Sequence, residues 1–154
     1  MKNLKQAAVL MFLVGGCAMS AQSQEQPTRQ KQIANAPSVF REVKAKIPFA
    51  ANEISHTLQL REGTKNKVFI APDFMLEGEI VSNFRKNKQV SGIQLKAANY
   101  GGALLTLSRI TEEDGSTSFT GRIYNRETGE AYVLTKENDQ YFFVKTNAKF
   151  LLVD

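Results

Sequence analysis

The chain of 154 residues contains one cysteine, one histidine and no tryptophan. The single Cys17 stands near the amino terminus, so the folded part can hold neither a disulfide nor a cysteine nucleophile. His56 is the sole imidazole. A Ser-His-Asp arrangement would have to use it, and neighbouring Ser55 would point to the opposite face of a strand. A zinc site takes three or four His, Cys or carboxylate ligands, and there is no His-Glu-x-x-His motif. We therefore expect no enzyme activity, no metal and no cofactor. Long hydrophobic stretches are also missing beyond the first residues. A bilayer-spanning helix needs about 20 apolar residues, so a mature integral helical membrane protein is not expected.

The beginning of the chain reads as an export signal. Lys2 and Lys5 precede the apolar run Ala7 to Gly16, and small residues Ala18, Ser20 and Ala21 follow. Residues 1–21 form this signal. Val14-Gly15-Gly16-Cys17 resembles the lipobox of bacterial lipoproteins, which implies lipidation at Cys17. Ordinary cleavage after Ser20 or Ala21 is the competing route. The expected location is the periplasm, the outer membrane as a lipoprotein, or the exterior, with membrane contact only through a lipid on Cys17.

The chain carries a formal charge of +5; its 20 Lys and Arg, less Lys2 and Lys5, leave 18 against 15 acidic residues. That excess is too small and too dispersed to indicate nucleic acid. The densest basic group, Arg85-Lys86-Asn87-Lys88, falls between two expected strands and reads as a solvated hairpin tip, with anionic lipid or glycan as the sharper alternative.

Residues 22–38 are rich in Gln, Ser, Pro and Thr and form a polar tether. A single domain over 39–154 follows. Phe40 and Val43 permit a helical turn before Pro48, whereas Val43, Ala45 and Ile47 permit a strand. From Thr57 onward, Leu58 and Leu60 alternate with polar residues and predict a half-buried strand. Further strands are expected at Val68 to Ile70, at Leu76 to Ile80, at Val90 to Leu95 with a bulge at Gly92, and at Ala103 to Ile110. The last of these puts Leu105, Leu107 and Arg109 on one face. Thr111 to Ser116 contains Asp-Gly, a hairpin signal, and Asn125 to Glu130 and Glu137 to Asp139 are further turns. Tyr141 to Val144 and Phe150 to Val153 are apolar on both faces, the pattern of strands buried on both sides. Turn signals about every ten residues predict an all-β, mainly antiparallel fold of seven to nine strands. It would be a meander forming a sandwich or small barrel, with at most one short N-terminal helical turn.

Few residues suggest chemistry. Glu77 and Glu79 share one strand face, as paired carboxylates for acid–base work or cation binding would, but the opposite face is apolar and this is the pattern of a solvated side. Glu112-Glu113-Asp114 lacks the alternating ligands of a calcium loop. Tyr100-Gly101-Gly102 is not followed by the helix and Lys-Ser/Thr of a phosphate loop.

The stretch Thr57-Leu58-Gln59-Leu60 through Val68-Phe69-Ile70-Ala71-Pro72-Asp73-Phe74-Met75-Leu76-Glu77-Gly78 resembles the propeptide region of secreted zinc metalloproteases. Ser118 to Ile123, Glu130 to Leu134 and Asp139 to Val144 are similar to the closing hairpins of propeptides in bacterial exported proteases. The resemblance spans 57–154, without a catalytic domain and without a cysteine to block a zinc. It implies a stand-alone inhibitor or chaperone-like domain. The expected function is thus an exported, non-enzymatic binding protein whose partner is a protein, with a secreted protease as the concrete candidate. A carrier of small apolar ligands, with Phe and Leu lining a barrel cavity, is the alternative.

Overall fold

The computed structural model describes residues 37–147. The signal, Cys17, nearly all of the polar tether and the run Phe150 to Val153 lie outside the described residues. Eight antiparallel strands follow one another: β1 (Lys46–Pro48), β2 (Lys65–Ala71), β3 (Phe74–Arg85), β4 (Val90–Ala97), β5 (Ala103–Thr111), β6 (Thr117–Tyr124), β7 (Glu130–Glu137) and β8 (Gln140–Asn147). One short helix, α1 (Ala51–Thr57), connects β1 to β2, and a 3₁₀ turn (Ala98–Tyr100) connects β4 to β5. The order across the sheet is β1-β8-β7-β6-β5-β4-β3-β2. This is a meander curled into a half-barrel, rather than a two-sheet sandwich.

The curl follows from alternation. Leu95, Leu105, Ile123 and Tyr132 are paired in register across four neighbouring strands, and all four are buried. Val68 with Leu76, Ile80 with Leu95, and Ile93 with Leu107 extend the same apolar surface. Folding the sheet onto this one face removes it from water. The turns are built for their geometry. Asn138 and Asp139 both adopt left-handed backbone, which matches the strand twist in a two-residue hairpin. Asn125 is fully buried: its Oδ1 accepts the Glu127 and Thr128 N–H groups, and its Nδ2 donates to the Tyr100 carbonyl at 2.9 Å.

Three strand expectations are corrected. Thr57 is the last residue of α1, not the first of a strand. Ile54 and Leu58, four apart, bury one face of that helical turn, and Leu58 N–H donates to the Ile54 carbonyl at 3.0 Å. Leu58 and Leu60 therefore alternate by coincidence in the helix exit. The bulge is not at Gly92, which stays in register with Ser108. It lies in β3, where the pairing shifts between Ile80 and Ser82. Gly92 is instead a close approach, since a Cβ there would strike the Leu107 carbonyl and the Phe84 ring. Finally, β8 is not buried on both sides. Tyr141 and Phe143 face the core, while Phe142 and Val144 are half-buried on the outer face, with the Lys46 ammonium 4.3 Å from the Phe142 ring centre. The two readings of 40–47 are both met in part, by a turn at 39–42 and by β1.

Pro48 helps keep the barrel open. Phe49 N–H donates to the Tyr141 carbonyl, and Lys145 N–H donates to Ala45, so Ala45, Ile47 and Phe49 bond towards β8. By alternation Lys46 and Pro48 face β2, and Pro48 has no N–H to offer. β1 is also only three residues long against seven in β2. The ladder does not close, and β2 remains an edge strand.

Candidate interaction surface

The β2 edge can be assigned residue by residue. Ile80 N–H donates to the Thr64 carbonyl at 2.9 Å, so alternate residues Asn66 and Val68 bond inwards to β3. Glu77 N–H and the Met75 carbonyl point the other way, where the Asn99 side chain satisfies both, at 3.0 and 2.9 Å. Lys65, Lys67 and Phe69 consequently direct their main-chain N–H and C=O groups away from β3, towards the gap across which β1 and α1 approach β2 without pairing to it. The same three side chains are exposed on the outer face.

Phe69 is the most exposed large apolar side chain described, at 59%, and Val81, at the β3 bulge, follows at 41%. Sequence patterning places Phe69 within an apolar run, which does not tell the face it takes. An open groove of about 560 Å³ crosses the outer face between Lys65, Lys67, Glu79, Val81 and Lys96, and Phe69 does not line it. Glu77 and Glu79 share this outer face, as expected. Glu77 forms an ion pair with Lys67 at 3.4 Å across the ladder, and Glu79 stands opposite Lys65 in register. Each glutamate has a lysine beside it on β2, the arrangement of a solvated charge ladder rather than of an acid–base couple.

The remaining candidates fall apart spatially. His56 is exposed in the last turn of α1, and Ser55, on the same helix, donates its hydroxyl to the Ala51 carbonyl. Both residues are therefore helical, not on opposite faces of a strand. Asp114 accepts the Ser116 N–H at 2.8 Å, and hydrogen bonds from Ser116 hold its carboxyl below the usual range, so it serves its own turn. Gly101 and Gly102 adopt left-handed backbone after the 3₁₀ turn. Lys86 to Gln89 is an exposed hairpin tip, in which Asn87 Oδ1 accepts two N–H groups. Among the described residues no group of three or more His, Cys, Asp or Glu gathers, and no helix is long and apolar enough to cross a membrane. Cys17 lies outside them.

A second polar constellation was not legible locally. Glu130 is largely buried at the end of the barrel where β1 begins. Its carboxylate accepts from Ser38 Oγ at 2.6 Å, Val39 N–H at 2.9 Å, Phe40 N–H at 3.4 Å and Lys145 Nζ at 2.9 Å. Burial alone would raise its pKa, but the hydrogen bonds from Ser38, Lys145, Val39 and Phe40 outweigh it and hold the carboxyl at about 2. This clamp seats Phe40, which is fully buried against Phe74, Tyr100 and Tyr132 with ring centres 5.1 to 6.2 Å apart. Burial first, and then the Glu130 charge, push the Tyr132 phenol up to about 12.

The interior is filled. Leu76, Ile80, Ile93, Leu95, Leu105 and Leu107 retain no surface that a water-sized probe can touch, which side chains lining a roomy cavity would keep.

No family model matches the chain, and searches of curated proteins and of solved structures return no match.

Proposed function

We propose that the protein is an exported, non-enzymatic binding protein of the bacterial envelope or its surroundings, which takes a partner protein by strand addition along β2. The observation that carries this reading is the β2 edge, which has no ladder partner beyond β3 among the described residues, with the main-chain groups of Lys65, Lys67 and Phe69 left unpaired beside the exposed Phe69 ring. A partner strand supplies the missing ladder, and Phe69 gives it an apolar contact. The resemblance to metalloprotease propeptides makes a secreted protease the first partner to try, with this chain as its inhibitor. The filled interior weighs against a carrier of apolar ligands.

The test is capture from native envelope and culture fluid with the purified protein as bait, read by mass spectrometry, in parallel with Phe69→Asp. A saturable partner that is lost on Phe69→Asp, while the melting temperature holds, is the expected result. If the partner is a zinc protease, its turnover should fall with added protein and recover with the variant. A set of captured proteins indifferent to Phe69→Asp would refute the β2 reading.

A further inference from the structure

Adjacent strands β6 and β7 each have eight residues, yet they are paired at only three positions: Arg122 with Val133, Ile123 with Tyr132, and Tyr124 with Ala131. Beyond Arg122 the strands part and leave a fork at the barrel end opposite Glu130. Gly121 marks the point of divergence. A Cβ there would lie 2.6 Å from Leu107 Cδ2 and 2.8 Å from the Thr106 carbonyl, so β6 can press onto β5 only because this residue has none.

The groups lining the fork are known from the ladder parity. Phe119 N–H donates to the Tyr141 hydroxyl at 3.2 Å, away from β5. Thr117 and Gly121 share that direction, while Leu134 and Lys136 of β7 face them. The Tyr141 hydroxyl thus bridges the fork from β8, and its ring packs against Phe119 at 5.4 Å between centres. Arg109 stands directly opposite Phe119 in β5, on the concave face with Leu105 and Leu107. Its Nε is buried without a hydrogen-bond partner, and among the described residues it joins no ion pair. Of the acidic side chains at this end, Asp139 pairs with Lys136 at 2.8 Å, Glu137 with Lys46 at 2.5 Å, and Asp114 accepts the Ser116 N–H; Glu112 and Glu113 of the β5/β6 turn form no ion pair among the described residues, with Arg109 or any other cation.

We infer that the β6/β7 fork is a second binding site, separate from the β2 edge, that accepts an extended peptide strand bearing a carboxylate, with Arg109 as the anchor for that carboxylate. The unpaired main-chain groups call for a backbone, and the buried Arg109 Nε–H, without an acceptor among the described residues, calls for an anion with planar oxygens. The entering strand displaces the Tyr141 hydroxyl and takes over the Phe119 N–H. Because the site uses neither β2 nor Phe69, it stands whether or not the β2 reading does.

The experiment is an NMR titration of the labelled full chain with acetyl-Thr-Val-Glu-Val-Thr-amide, with its Gln counterpart, and with propionate. The Glu peptide is expected to shift the Arg109 Nε–H resonance and the Phe119 and Gly121 amides together and saturably. The Gln peptide should bind about tenfold or more weakly, the loss of one charge-assisted contact. Arg109→Gln should erase that preference and Arg109→Lys should keep part of it. Should Arg109→Gln not fold, the wild-type resonances decide alone. A shift by propionate equal to that by the peptide, or no shift of Phe119 and Gly121 by the Glu peptide, overturns the proposal.

Discussion

Glu130→Gln keeps the shape of the clamp and removes its charge. The amide oxygen can still accept one or two of the N–H and O–H donors, but Lys145, two-thirds buried, loses its counter-ion. The native carboxyl sits at about 2 against an ordinary 4.5. At about 1.4 kcal/mol per pK difference of one, the difference of about 2.5 amounts to an upper bound of about 3.5 kcal/mol for the ionised state. A folded pKa below the unfolded one means that the unfolded chain binds the extra proton between these values. The contribution is therefore complete above pH 4.5 and is lost as pH falls towards 2. Urea unfolding of wild type and Glu130→Gln, followed by tyrosine fluorescence from pH 7 to pH 2, should show a gap of about 2–3 kcal/mol at neutral pH that closes in this window. A gap below about 0.5 kcal/mol at pH 7, or one that does not change with pH, would refute the argument that charge-assisted bonds to Glu130 hold the N-terminal segment. Glu130→Gln combined with Lys145→Met tests the same point, since the loss should be smaller than the sum of the two single losses.

Asn125→Asp should lower stability by about 1–3 kcal/mol, because the carboxylate cannot donate to the Tyr100 carbonyl and places a charge where the residue is fully buried; thermal melting at pH 7 measures it. Gly121→Ala should cost about 1–3 kcal/mol and perturb Leu107 methyl resonances, as the added methyl meets Leu107 and the Thr106 backbone; a neutral substitution would mean that β6 can shift at the fork.

What the sequence made legible was the local part of the fold. Leu76, Ile80, Leu105 and Leu107 announce their strands by period two, Val68 to Ile70 by a short apolar run, and Asp114-Gly115 and Asn138-Asp139 announce their turns, because those conformations depend on neighbours in the chain. Helix α1 was hidden since seven residues give less than two full periods, and Leu58 and Leu60 imitate a strand. Gly92 and the β3 bulge were exchanged because a glycine missing its side chain for close packing looks, in sequence, like one missing it for a bulge. The free edge of β2 and the fork depend on which strands fail to pair, and Glu130 meets donors about ninety residues away. Such partners leave no periodicity. Phe69 was visible as apolar, but its exposure is decided by the register that turns Val68 and Ile70 inward.

The clamp on Ser38 to Phe40 also fixes where the preceding residues leave the barrel. Ser38 and Val39 sit at the end formed by the 98–102 and 125–129 turns, opposite the tips at 86–89, 112–116 and 138–139. The fork and the three tips lie at the other end, so the point where the chain enters the barrel and the β6/β7 fork are separated by the length of the strands.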